Sequence, residues 1–128
     1  MRTFRSLVPA LVWTAVIFLV STVPGDRFPS VSLFPHQDKV AHLFLYGTLG
    51  ICLGVGRRWG GDRIPHLTLL AGGWLYGALD EWYQSFVPGR SPDPADWLAN
   101  VVGVTLGYLL VLSLGSPGSG APARGSSR

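Results

Sequence analysis

Apolar residues along this chain gather into four blocks, Leu7–Val23, Val40–Val55, Leu67–Val87 and Trp97–Leu114. An α-helix rises ~1.5 Å per residue, so about 20 residues cross a hydrocarbon core of ~30 Å. The first, third and fourth blocks come close to that length. The second reaches it only if its helix starts at Asp38 or Lys39, with the Lys39 ammonium snorkelling to the interface. The pattern therefore predicts an all-α membrane protein with four transmembrane helices. Arg2 and Arg5 before the first block give it the basic start of a signal peptide. Its apolar run is nevertheless longer than a usual signal core, and Ser21-Thr22-Val23-Pro24-Gly25 is a poor cleavage site, so it is expected to remain as a helix. Pro24–Pro35 carries three prolines and reads as an ordered or extended loop. Residues 116–128 are Gly, Ser, Pro and Ala with two arginines; with nothing to bury, they are expected to be a disordered tail after a single domain spanning 1–115.

Polar and small residues interrupt the last three blocks at helical spacing. Lys39, His42, Tyr46, Gly50 and Gly54 share one face of the second helix. Gly73, Gly77, Asp80 or Glu81, and Gln84 share a face of the third, and Asp93, Asp96, Asn100, Gly103 and Gly107 a face of the fourth. In each set the polar members lie at one end and the glycines deeper. Pairs of glycines four apart let helix backbones approach closely in a bilayer. Helices 2, 3 and 4 are thus expected to pack along glycine seams and to part at one end around a polar pocket, with helix 1 as a support.

Composition strengthens the membrane reading: 48% of residues are hydrophobic and only 13% charged, against ~25% charged in ordinary soluble domains. The net charge of +3 does not point to nucleic acid, because the basic residues fall between apolar blocks. Their distribution sets an orientation. Arg2, Arg5, Arg57, Arg58, Arg63, Arg124 and Arg128 lie on one side, and Arg27, Lys39 and Arg90 on the other. Both termini are expected to be cytoplasmic, and the polar pocket to face outward at the cell membrane. The lone Cys52 lies within an apolar block and offers neither a disulfide framework nor a metal motif.

The outer pocket gathers five acids (Asp38, Asp80, Glu81, Asp93, Asp96) against two bases, Lys39 and Arg90, with His42 titratable between them. Carboxylates near lipid are expensive and mark function by default. Asp93 has a simpler role, since an Asp before Pro94 reads as a helix N-cap. Glu81, Asp80 and His42 are the acid–base candidates. Lys39, Tyr46, Gln84, Arg90, Asp96 and Asn100 are the candidate ligand-binding residues, with Lys39 and Arg90 as anion holders. Asp80, Glu81, Asp96 and His42 also form an oxygen-rich set of the kind Mg²⁺ or Mn²⁺ takes, although one histidine makes no metal motif and no cofactor is assigned. No serine or cysteine is placed as a nucleophile: Ser85 faces away from the Asp80/Gln84 stripe and Cys52 is deep.

At these positions the chain resembles the VanZ-like family of small bacterial membrane proteins. The matching pieces are Asp38-Lys39-x-x-His42-x-x-x-Tyr46, Asp80-Glu81-x-x-Gln84, Arg90, and Asp96-x-x-x-Asn100-x-x-Gly103-x-x-x-Gly107, with Ser21–Pro24 similar to the polar end of the family's first helix. The resemblance runs from about residue 7 to 114. It implies a polytopic helical membrane domain and a link to teicoplanin-type glycopeptide resistance through the family's namesake; it supplies no mechanism. Position 93, often a small capping residue in the family, is Asp here, in keeping with a cap.

Three functions follow as expectations. The first is a site that binds a cell-envelope precursor, a lipid headgroup or a glycopeptide, in a protein whose surrounding partner is the lipid bilayer. The second is an acid–base or metal-assisted enzyme acting on an envelope phosphate or carbonyl. The third is a small transporter or structural accessory; four helices without paired broken repeats are few for alternating access, and a homo-oligomer would be needed.

Overall fold

The computed structural model describes residues 2–28, 32–60 and 63–115, with side chains from Phe4 onward. The expected tail, 116–128, lies outside the described residues. Four helices account for nearly all the rest: α1 Arg2–Ser21, α2 Gln37–Gly60, α3 His66–Gln84 and α4 Pro94–Leu114, with a short 3-10 turn at Gly25–Arg27. Three of them, over Phe4–Ser21, Gln37–Gly60 and Pro94–Leu114, are long and apolar enough to cross a membrane. The third helix is not among these, because it carries Asp80, Glu81 and Gln84 within its last turns.

The helix ends follow local chemistry rather than the limits of the apolar blocks. α2 runs past Val55 through Arg57 and Arg58, cations that suit the negative end of a helix. α4 starts three residues before its apolar block, at Pro94, because Asp93 caps it: the Asp93 carboxylate accepts from the Ala95 N–H at 2.9 Å. α3 stops at Gln84, short of the apolar Phe86 and Val87. Val87-Pro88-Gly89-Arg90 then form a tight turn closed by Arg90 N–H to the Val87 carbonyl at 3.1 Å. Gly89 has a φ of 73° there, the left-handed value that the third position of such a turn requires.

Successive helices run antiparallel, so the end of α1, the start of α2, the end of α3 and the start of α4 meet at one end of the bundle. α2 and α4 pack most intimately. Their contact is backbone on backbone: a Cβ added at Gly50 would overlap the Val104 carbonyl, and one at Gly107 the Gly47 carbonyl. This is the expected seam, with Gly47 as a further member. The expectation fails for α3. There a Cβ at Gly73 would meet the Val104 side chain, and one at Gly77 would meet Asn100 and Tyr46. These glycines are sockets for neighbouring side chains, not a close backbone approach, because α3 must leave room for Tyr46 and Asn100 between itself and the α2–α4 pair.

Aromatic donors tie the helices laterally. Trp13 donates from Nε1 to the Leu45 carbonyl, Tyr76 from its hydroxyl to the Thr14 carbonyl, and Trp74 from Nε1 to Thr105 Oγ1. Tyr46, Leu49, Val104, Tyr108 and Ile17 fill the centre. The outer surface is apolar, with Phe44, Leu67, Leu75, Leu106 and Leu114 all well exposed, while Asp80, Glu81, Gln84, Asp96 and Asn100 are buried. Polar inside and apolar outside is the arrangement a bilayer selects.

Candidate functional site

The end where the helix termini meet holds a cavity of about 700 Å³, whose polar lining includes Ser21, His42, Tyr46, Asp80, Gln84 and Asp96. Phe28, Leu33, Phe34 and Leu45 give it an apolar wall. Four helices and the loop after α1 all contribute.

Asp80 and Glu81 are adjacent on α3, and ~100° of helical rotation sends them to different partners. Asp80 Oδ2 accepts the Tyr46 hydroxyl at 2.8 Å and Gln84 Nε2 at 3.4 Å. Gln84 Nε2 also reaches Ser21 Oγ at 3.3 Å, which brings α1 into the site. Glu81 turns toward α2 and α4. Its Oε2 accepts the Asp93 backbone N–H at 3.4 Å, and its Oε1 stands 3.6 Å from His42 Nδ1. That Nδ1 is 2.9 Å from Asn100 Oδ1, and His42 Nε2 is 3.8 Å from Asp96 Oδ2. Among the described residues, two buried atoms in this half have no hydrogen-bond partner, Glu81 Oε1 and Asn100 Nδ2.

Lys39 lies above this group at the mouth. Its Nζ meets Asp93 at 3.0 Å, Asp96 at 3.1 Å and Asp38 at 3.2 Å, a single cation shared by three carboxylates. Asp93 therefore does two things, capping α4 and holding Lys39. The Ala95 N–H it accepts and the nearby Lys39 ammonium keep its carboxyl below the usual carboxylate range.

Arg90 borders the cavity, but its guanidinium is directed to the end of α1. Nε donates to the Val23 carbonyl and one terminal nitrogen to the Val20 carbonyl, both at 3.2 Å, and the group lies 4.4 Å from the centre of the Phe28 ring. It thus ties the turn after α3 to the chain at the end of α1. Among the described residues it forms no ion pair, so the anion-holding role expected for it and Lys39 faces two competing engagements. The turn that carries Arg90 is locked to the loop after α1: Gly25 N–H donates to the Pro88 carbonyl at 2.9 Å, and Gly25 and Gly89 lie too close for a Cβ on either.

Every residue expected at the site is thus at this end: His42, Tyr46, Asp80, Gln84 and Asp96 line the cavity, and Glu81 and Asn100 lie buried against them. Ser21 and the wall residues Phe28, Leu33 and Phe34 were not among the expected site residues. Ser21 had a signal: it is a small polar residue at the end of the first apolar block, and antiparallel succession places that end beside Gln84. The wall had none, since its residues come from an irregular loop.

A model of the family described as VanZ/LLP1 matches residues 4–115. An uncharacterized protein of Schizosaccharomyces pombe is 32% identical over 99 residues, which cover 74% of this chain and 57% of that protein; the chain thus spans little more than half the length of this relative. No solved structure matches.

Proposed function

This chain belongs to the VanZ/LLP1 family, and we propose that it is a multi-pass protein of the cell membrane that binds the polar head of an envelope amphiphile in its end cavity. All four helices cross the bilayer, both termini are cytoplasmic and the cavity opens outward. The observation that carries this reading is a buried polar floor beneath a cavity of about 700 Å³ with an apolar wall on one side. Polar groups buried among membrane helices are unfavourable unless they serve each other or a ligand, and a site of mixed character accommodates a molecule with a head and a greasy body. Lys39 is taken up by carboxylates and Arg90 by carbonyls, so the floor offers mainly acceptors. Hydroxyl or amine groups on the head fit it better than a bare anion.

The test places the purified protein in nanodiscs and measures retained lipid by native mass spectrometry. Amine-headed, glycosyl-headed and phosphate-headed lipids are compared, with teicoplanin as a further probe. Ala41→Trp adds bulk to the cavity lining while replacing none of its polar residues. Selective retention by the wild type and its loss in the folded Ala41→Trp variant are expected. Equal retention of every lipid by both proteins would refute the reading. Teicoplanin binding would carry it toward glycopeptide resistance.

A second reading has its own support. His42 stands between the buried carboxylates of Glu81 and Asp96, a geometry that serves proton transfer to an envelope phosphate or carbonyl. Turnover of a retained lipid that disappears in Glu81→Gln while retention persists would distinguish it from binding alone.

A further inference from the structure

We infer that His42, Glu81 and Asp96 form a binding site for one divalent transition-metal cation of the Mn²⁺ or Zn²⁺ kind. One ring nitrogen of His42 and one oxygen from each carboxylate lie within 4.8 Å of one another. Metal bonds of ~2.1 Å hold ligand atoms roughly 3.0–3.4 Å apart, so the three groups close on an ion by small side-chain rotations. The three come from different helices, α2, α3 and α4, and the packing that buries them brings their donors together.

The second observation is the state of Glu81. Its side chain is 9% exposed, and its Oε1 is buried with no hydrogen-bond partner among the described residues. That oxygen points at the same space as His42, whose Nδ1 is already within 2.9 Å of Asn100 Oδ1. A buried carboxylate oxygen left open is costly, and a cation supplies the missing partner. Asn100 fixes the rotation of the imidazole ring, the role that outer residues commonly play around a metal.

The donor set narrows the ion. Two carboxylates with one imidazole suit borderline cations that accept both oxygen and nitrogen; Ca²⁺ favours oxygen alone. Asp80 does not join, although it is adjacent in sequence, because its Oδ2 is bonded to Tyr46 and Gln84. Lys39 sits across Asp96 Oδ1, leaving the Oδ2 that faces His42. Three protein donors leave further positions for water or for an oxygen of a bound head. The ion would neutralise the two carboxylates and offer an electrophilic position where the bare floor offers acceptors. Cation binding is read on the protein alone and does not depend on the amphiphile reading.

The test strips the full chain in nanodiscs with a chelator and returns Mn²⁺ or Zn²⁺ separately. Metal content by mass spectrometry, affinity by calorimetry and, for Mn²⁺, the electron paramagnetic resonance spectrum are recorded. One ion per chain is expected, with affinity at least tenfold weaker in Glu81→Gln, in Asp96→Asn and in His42→Ala. Asp38→Asn, an exposed neighbour on the same charge cluster, should bind as the wild type does. Thermal unfolding of each variant without metal shows which are folded, and the ion should stabilise the wild type and Asp38→Asn but not the other three variants. Absence of a bound ion at 100-fold excess would overturn the proposal. So would equal binding by folded Glu81→Gln and wild type, or loss of binding in Asp38→Asn, which would mark a surface attraction of acids for cations.

Discussion

The polar end of the bundle has two halves, built from neighbours in sequence and opposite in character. The half around Asp80 is closed: Tyr46, Gln84 and Ser21 form a chain of hydrogen bonds that ties α1, α2 and α3. The half around Glu81 is open: it gathers His42, Asp96 and Asn100 and, among the described residues, leaves Glu81 Oε1 and Asn100 Nδ2 without hydrogen-bond partners. A satisfied buried network stabilises and specifies a fold, whereas a partly satisfied one is tolerated only where something else benefits. The closed half thus reads as structure and the open half as function, though Asp80 and Glu81 are adjacent in the chain.

The largest effect should come from breaking the support that both halves share. Gly107→Leu drives a side chain into the Gly47 carbonyl across the α2–α4 seam. A loss of at least ~3 kcal/mol is expected, read as the disappearance of the cooperative unfolding transition in detergent. If Gly107→Leu folds and unfolds like the wild type, the seam does not hold the site together.

A smaller effect separates the halves. Tyr46→Phe removes the hydroxyl from buried Asp80 and should lower stability by about 1–3 kcal/mol while leaving cation affinity within a factor of two. Glu81→Gln should do the reverse, keeping stability within about 1 kcal/mol because it removes an incompletely partnered charge. Unfolding and metal titration on the same two samples decide the matter. A large destabilisation by Glu81→Gln with none by Tyr46→Phe would invert the assignment.

The smallest effect concerns the mouth. Asp93 is held below its ordinary titration range by the Ala95 N–H and then by Lys39. The unfolded chain therefore takes up this proton first as pH falls. The contribution is fully present above the usual aspartate value of about 4 and is lost as pH drops through the lower folded value. Asn at this position still caps a helix but cannot titrate. Asp93→Asn should flatten the acid limb of the stability curve below about pH 4 and change little at neutral pH. An identical acid limb in the two proteins would remove Asp93 from the account.

Much of this architecture was legible in the chain. The four apolar blocks placed all four helices, and Asp93-Pro94 marked the start of α4 within a residue. Three-and-four spacing alone put Lys39, His42, Tyr46, Asp80, Glu81, Gln84, Asp96 and Asn100 at one end of the bundle, where they are neighbours. These readings succeed because helical periodicity and capping are local, and a bilayer forces the pattern of polar and apolar positions to be strict. The α3 glycines were misjudged for a related reason: spacing shows that a small residue faces a neighbour but not whether a backbone or a side chain fills the space.

Other matters rested on which surfaces met. Nothing in the sequence separates Asp80 from Glu81; the division arises because Tyr46 rises from α2 beneath one and Asp93 and His42 surround the other. Arg90 looks like a clamp for a ligand until the loop it sits on is seen locked to Gly25, which aims its guanidinium at the Val20 and Val23 carbonyls at the end of α1. Sequence alone determined the helices, their polar faces and the end at which those faces gather. Tertiary structure decided which polar atoms are satisfied and which remain open, because hydrogen-bond geometry is settled over a few ångströms between residues as far apart in the chain as Ser21 and Gln84.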